Sequence, residues 1–115
     1  TATYYGVSAA KRNIERARQE LRSVRDQARV DLESSWSAFA AAADQVNVQT
    51  ALLEAARQRN DEADVRYASG LLSFDNWEVI VTDRVSAERQ AVSARRSAMD
   101  AETAWDRALG RALGE

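Results

Sequence analysis

The chain has no proline, and Gly70 is its only glycine between Gly6 and Gly110. Proline and glycine interrupt helices more strongly than any other residues. The helical sequence on both sides of Gly70 therefore has one place where the chain can reverse. Because glycine takes positive φ without a Cβ clash, Gly70 suits the left-handed residue that ends a helix. The sequence predicts two helices joined by a tip turn at residues 69–73.

The residues after Gly70 are typical of the start of a second helix. Ser73 is placed at the N-cap, where its hydroxyl can accept from a free backbone N–H. Asp75 and Glu78 follow in the first turns, where the helix dipole favours negative charge. Stop, turn and start signals thus occupy one short stretch.

The first helix is predicted over residues 8–68, with Ser8 as its N-cap. Its seam positions, apolar except for Asn60, are spaced as in a coiled coil, slip around residues 32–36, and then recur every seven residues. The first set is Ile14, Ala17, Leu21, Val24 and Ala28; the second is Phe39, Val46, Leu53, Asn60 and Tyr67. About sixty helical residues span roughly 90 Å. Such a helix needs partners along its length.

The second helix is predicted over residues 74–113, with a tail at 114–115. It carries a packing seam of alanines, interrupted only by Trp105, with spacings of three and four residues, and a second apolar stripe beside it. The seam is Ala87, Ala91, Ala94, Ala98, Ala101, Trp105, Ala108 and Ala112; the second stripe is Val81, Val85, Val92 and Met99. Two stripes indicate that the helix is covered from two directions. The predicted fold is all-α, a long antiparallel coiled-coil hairpin with unequal arms. Either it self-associates or it is one stave of a larger helical assembly.

The composition excludes several classes of function. Histidine and cysteine are absent, so the usual metal ligands and most general bases are missing. We expect no enzyme activity, no catalytic residue, no metal and no cofactor. The net charge of −2 argues against nucleic-acid binding. No apolar run approaches the roughly 18–20 residues of a membrane span.

Charge is uneven along the first helix. Residues 11–29 contain seven basic and three acidic residues, whereas residues 30–56 contain no basic residue. One interpretation of the basic stretch is a solvated face with i,i+4 partners such as Arg22 and Asp26. The other is a position near anionic lipid headgroups.

Two groups of side chains near the turn have alternative interpretations. Asp75, Asn76 and Glu78 either complement the helix dipole or form a polar ring where several tips meet around a pore. Trp77 is by default an anchor against the opposite arm, and otherwise a partner-binding aromatic. The cluster Asp61, Glu62 and Asp64 lies on consecutive helical positions, and we expect it to serve solubility.

Residues 1–7 are rich in β-formers and precede the first helix. They predict an extended lead-in, the tail of a strand.

The stretch Tyr67-x-x-Gly70-x-x-Ser73-Phe74, after a long heptad helix, resembles the tip of the outer membrane efflux protein family (TolC-like outer membrane factors). Tyr4-Tyr5-Gly6 followed by residues 14–18 resembles the junction from an outer-membrane strand into the descending helix. Ala108-Leu109-Gly110 resembles the end of the ascending helix. The family often has acids six and nine residues after the tip glycine. Here those positions are Asn76 and Val79.

The resemblance implies the second structural repeat of such a channel without its barrel strands. The hairpin would be a stave of a periplasmic α-barrel in a homotrimer of a Gram-negative envelope, joined to the outer membrane through absent β-strands. Its tip would gate the conduit and dock to the hairpins of a periplasmic adaptor protein, which connects to an inner-membrane pump. The docking residues would be Ser69, Gly70, Leu71, Leu72 and Ser73.

Two other hypotheses remain open. The chain would alternatively be the coiled-coil hairpin of such an adaptor, although Arg66 and Ser73 do not match the wider spacing of adaptor tips. It would otherwise be a structural coiled-coil scaffold. Flanking β-strands with a signal peptide, flanking lipoyl-like and barrel segments, or neither, would distinguish the three.

Overall fold

The computed structural model describes residues 2–114, which form two antiparallel α-helices. Helix α1 spans Ala2–Ala68 and helix α2 spans Phe74–Ala112. The molecule measures 101 × 21 × 15 Å, and its length is that of α1 alone. The predicted all-α hairpin with unequal arms is confirmed, and α2 ends one residue earlier than predicted, with Leu113 as its C-cap.

The structure of residues 2–7 corrects one prediction. Residues 2–7 are the first turns of α1, so the expected extended segment over residues 1–7 is wrong for all of it except Thr1, which lies outside the described residues. Ser8 is inside the helix and does not cap it. One glycine costs a helix only about 1 kcal/mol relative to alanine, and without a proline the helix continues through Gly6. The strand-to-helix junction suggested by Tyr4-Tyr5-Gly6 is therefore not present in residues 2–7.

The face of α1 that contacts α2 follows the predicted heptad positions. Leu53, Asn60 and Ala63 are buried, and Phe39 and Val46 are half-buried. The cross-helix contacts Arg84 Nε–Asn60 Oδ1 and Phe39–Trp105 set the register of the two helices. This antiparallel register places Leu53 opposite Ala91.

The alanine seam of α2 faces α1. Ala91, Ala94 and Ala108 are buried, with Ala91 only 2% exposed. The half-buried members of the seam are Ala87, Ala98, Ala101 and Trp105. Ala112, the last residue of α2, is exposed. Small side chains let the two backbones approach closely, so the seam packs against α1 within the hairpin.

An aromatic cluster closes the end of the hairpin that is remote from the turn. The Trp36 and Trp105 ring centroids are 5.2 Å apart, and Phe39 meets Trp105 edge-on at 6.1 Å. Offset and edge-to-face pairs add to the stabilisation from buried area. The cluster fastens the last turns of α2 to α1.

Beyond the C-terminal end of α2 at Ala112, α1 continues without a partner helix. The C-terminal residues Arg111, Ala112 and Gly114 lie beside the α1 segment from Val24 to Leu32. Residues 2–29 are called the overhang: it is about 40 Å long, and only its last turns lie beside α2. All its side chains are exposed except those of Ser8 and Ala28.

Each helix also carries apolar side chains on a face away from the other helix. On α2, Val92 and Met99 of the second stripe are exposed, and Val81 and Val85 are half-buried. On α1, Val30, Val48 and Leu52 are exposed. Two helices therefore do not bury all the apolar surface that their sequences provide.

One polar atom in the interface provides a test of its packing. The Oε1 atom of Gln49 is buried and accepts no hydrogen bond. A buried unsatisfied acceptor costs about 1–3 kcal/mol, so we expect Gln49→Leu to raise the free energy of unfolding by about 1 kcal/mol. Urea unfolding followed by circular dichroism measures this change. The exposed Gln45→Leu is the matched control and should change stability by less than about 0.5 kcal/mol. A loss of stability in Gln49→Leu would show that this oxygen is hydrogen-bonded in solution.

Candidate docking site at the hairpin tip

The turn is built around Gly70, which has φ of +74°. The Leu71 N–H donates to the Arg66 carbonyl at 2.8 Å, and the Gly70 N–H donates to the Tyr67 carbonyl at 3.0 Å. These two bonds form a Schellman motif, which satisfies carbonyls at the end of α1. The predicted left-handed glycine at the tip is confirmed.

Helix α2 begins at the predicted N-cap. Ser73 has extended backbone angles, and its Oγ accepts from the Asn76 N–H at 3.2 Å. The Trp77 N–H donates to the Ser73 carbonyl at 2.9 Å, the first hydrogen bond of the helix. The turn is thus closed at both ends by backbone geometry, and only a few residues separate the helices.

Three aromatic rings support the turn from below. Tyr67 ends α1, Phe74 and Trp77 start α2, and their ring centroids are 5.0–6.2 Å apart. The Tyr67 and Trp77 rings are stacked, with 19° between their planes. Trp77 is half-buried against α1, so its interpretation as an anchor to the opposite arm is confirmed.

A chain of hydrogen bonds runs from the aromatic rings into the hairpin. Asp64 Oδ1 accepts from Trp77 Nε1 at 2.8 Å and from Asn60 Nδ2 at 3.1 Å. Asn60, only 6% exposed, accepts in turn from Arg84 Nε at 2.7 Å. Arg84 also donates to Glu88 at 2.8 Å. Because a buried amide must be satisfied, this network holds the two helices in one register next to the tip.

The candidate docking residues Ser69, Gly70, Leu71, Leu72 and Ser73 form one contiguous surface at the end of the rod. All are exposed except Leu72, which is half-buried, and the Leu71 side chain is 71% exposed. An apolar side chain this exposed on a closed turn is well placed to enter a groove on another protein.

The candidate gate residues Asp75, Asn76 and Glu78 are all exposed, in the first turns of α2. The backbone N–H of Asn76 donates to the Ser73 Oγ of the N-cap. The three side chains add polar groups to the exposed surface next to the tip. Asp75 lies in the first turn of α2, where its negative charge complements the helix dipole.

Sequence reasoning missed the role of Asp64, which was expected to serve solubility together with Asp61 and Glu62. A signal for it exists: Asp64 lies six residues before Gly70 and Trp77 lies seven after it, so reversal at Gly70 brings them to the same level. Arg84 lies seven residues after Trp77, on the same face of α2. The polar network can therefore be predicted from the sequence once the position of the turn is known.

The network predicts unequal effects of two neighbouring aspartates. Asp64→Ala removes the acceptor of two hydrogen bonds and leaves the buried Asn60 amide with an unsatisfied donor. We expect it to lower the free energy of unfolding by about 1–2 kcal/mol. The exposed Asp61→Ala removes the same charge one turn away and should change stability by less than about 0.5 kcal/mol. Equal losses in the two variants, measured by urea unfolding, would contradict the network.

Within residues 2–114 no group of acidic side chains has the arrangement of a metal site. In the same part of the chain, neither helix contains an apolar segment that would cross a bilayer.

No protein-family model, curated protein or solved structure matches this chain.

Proposed function

We propose that the chain is a periplasmic α-barrel hairpin of a trimeric outer-membrane efflux or secretion channel. In this proposal the hairpin is one stave of the barrel, and its tip docks to the hairpins of a periplasmic adaptor protein. The protein would be a transport component rather than an enzyme.

The observation that carries the proposal is the apolar surface left uncovered on both helices. Val92 and Met99 on α2, and Val48 and Leu52 on α1, are at least half exposed in the isolated hairpin. Apolar side chains that recur along a helix favour burial against another helix. A stave with a neighbour on each side would cover both sets, whereas a free hairpin leaves them in water.

The geometry of the tip supports the docking part of the proposal. The turn lies where the resemblance to the efflux family locates its tip motif, and its residues are exposed on a backbone closed by the Schellman motif and the Ser73 cap. A preorganised surface loses little conformational entropy on binding. In a trimer, Asp75 and Glu78 would add negative charge around the tip, and rings of carboxylates at a pore mouth attract cations.

Site-directed crosslinking in the full-length protein tests the docking. With the adaptor protein present, cysteine in Ser69→Cys or Leu71→Cys should crosslink to a cysteine in the tip of an adaptor hairpin. Ser97→Cys, exposed in the middle of α2, is the matched control and should not crosslink to the adaptor tip. Equal yields at residues 71 and 97 would exclude the tip as the docking site.

A second crosslink tests the stave arrangement independently. Met99→Cys should crosslink to a neighbouring hairpin of the same protein, because its side chain lies on the uncovered stripe. Neighbour crosslinks without tip crosslinks would favour a structural scaffold. Tip crosslinks without neighbour crosslinks would favour the hairpin of an adaptor.

A further inference from the structure

The overhang carries an apolar stripe that α2 does not cover. Its members are Ala10, Ile14, Ala17, Leu21, Val24 and Ala28, spaced by three and four residues. Ile14, Leu21 and Val24 are each more than half exposed. Because α1 is a continuous helix here, these residues lie on one face over about 30 Å.

The stripe is a continuation of the established α1–α2 interface. One step of four residues, from Ala28 to Leu32, connects it to the positions that α2 covers, where Leu32, Ser35 and Phe39 are half-buried. A helix that extended the line of α2 past its C-terminus would meet the overhang much as α2 meets the rest of α1.

A basic ridge runs along one flank of the stripe. The residue after each stripe residue lies on the same flank of the helix, and five of these six residues are basic. The ridge consists of Lys11, Arg18, Arg22, Arg25 and Arg29, interrupted only by Glu15. The opposite flank, formed by the residue before each stripe residue, has one basic residue, Arg16, and one acidic residue, Glu20; its other members are Ala9, Asn13, Ser23 and Gln27.

Within the part of the chain that the structure describes, no acidic side chain forms an ion pair with the ridge. The ion pairs found within residues 2–114 are Arg59–Asp83 and Arg84–Glu88, both in the hairpin body. The i,i+4 pair expected between Arg22 and Asp26 is not formed. All five ridge side chains are exposed.

The one-sided ridge distinguishes between possible occupants of the stripe. A helix lying on an anionic membrane presents both flanks of its apolar face to the lipid headgroups, but here five basic residues lie on one flank and only Arg16 on the other. Two overhangs packed antiparallel would place ridge against ridge, because like flanks meet in an antiparallel coiled coil, and like charges repel. A packed helix with carboxylates along one edge fits both the stripe and the ridge.

We propose that the overhang is a docking site for an acidic amphipathic helix, one with an aliphatic and alanine seam and Asp or Glu along the matching flank. The seam would cover Ile14, Leu21 and Val24 as α2 covers the hairpin body. The carboxylates would pair with Lys11, Arg18 and Arg25. The proposal concerns a surface remote from the tip and does not depend on the proposed channel function.

The test uses the whole 115-residue chain and a dye-labelled synthetic helix as the probe. The probe has leucine and alanine at its seam positions and glutamate along one flank, and the control probe has glutamine in place of glutamate. Fluorescence anisotropy at low salt should show binding of the glutamate probe. The glutamine probe should bind more weakly.

Two double variants with the same change in net charge locate the binding surface. Arg18→Glu with Arg25→Glu reverses the ridge and should weaken binding of the glutamate probe about tenfold. A lysine-flanked probe should restore binding to this variant. Arg12→Glu with Arg16→Glu makes the same change in charge outside the ridge, on the back and on the opposite flank of the helix, and should weaken binding no more than about twofold. Circular dichroism checks that both variants keep the helical hairpin.

Three outcomes would overturn the proposal. If the two double variants weakened binding of the glutamate probe equally, binding would depend only on the net charge of the chain. Binding to phosphatidylglycerol vesicles without binding to the glutamate probe would indicate a membrane surface. Dimerisation in sedimentation equilibrium that Leu21→Asp abolishes, with no probe binding, would identify a second copy of the chain as the occupant.

Discussion

Leu53→Ala is expected to lower the free energy of unfolding by about 2–4 kcal/mol. Leu53 is the one buried leucine of the α1 seam, at 6% exposure, and it lies opposite the alanine row of α2. Truncation removes its buried methyl groups and leaves a cavity, because the two packed helices relax only partly around the missing atoms. Urea unfolding followed by circular dichroism measures the loss.

The adjacent residue provides the matched control. Leu52 is 52% exposed on the face away from α2. Leu52→Ala makes the same chemical change on the same helix turn and should cost less than about 1 kcal/mol. If both variants lost the same stability, Leu52 would be buried in solution, and the isolated hairpin would be self-associated through that face.

Ala91→Leu is expected to lower the free energy of unfolding by about 2–3 kcal/mol. The side chain of Ala91 is almost fully enclosed between the two helices. The added carbon atoms would push the backbones apart along the seam. The exposed Ala104→Leu, on the same helix, should be neutral within about 0.5 kcal/mol, because leucine and alanine are both good helix formers. If Ala104→Leu lowered the free energy of unfolding as much as Ala91→Leu, the alanine seam would not be the face of α2 that contacts α1.

Combining the two substitutions tests the register. Leu53→Ala with Ala91→Leu exchanges the large and small side chains of one layer. If the two residues face each other, the double variant should be more stable than the sum of the single effects predicts by about 1 kcal/mol or more. Strict additivity would mean that they occupy different layers.

The tip shows how far local signals extend. Gly70 and Ser73 were predicted from residue type alone, because a left-handed glycine and an N-cap serine need only neighbouring backbone to act. Trp77 was expected to anchor against α1, but its acceptor Asp64 was not identified. That hydrogen bond joins two helices, and its partners become neighbours only after the turn has formed.

The N-terminal end shows where a local signal failed. β-Forming residues around Tyr4 and Tyr5 predicted an extended segment, but these residues are helical and extend α1 toward the N-terminus from residue 8. Propensity differences of a few tenths of a kcal/mol per residue do not stop a helix that gains one hydrogen bond with each added residue. A stop needs a proline or a cap that is formed, but residues 2–7 contain no proline and the cap expected at Ser8 is not formed, because Ser8 lies inside α1.

The amino-acid order by itself determined the two helices, their single reversal at Gly70 and the residues that cap it, because these depend on contacts within a few residues. It also determined which stripes are apolar. Only the tertiary structure decided which apolar residues of α1 are covered, because that depends on how far the shorter helix α2 reaches along α1. The uncovered stripes and the basic ridge of the overhang are therefore properties of the assembled hairpin, and they point to the partners that remain to be tested.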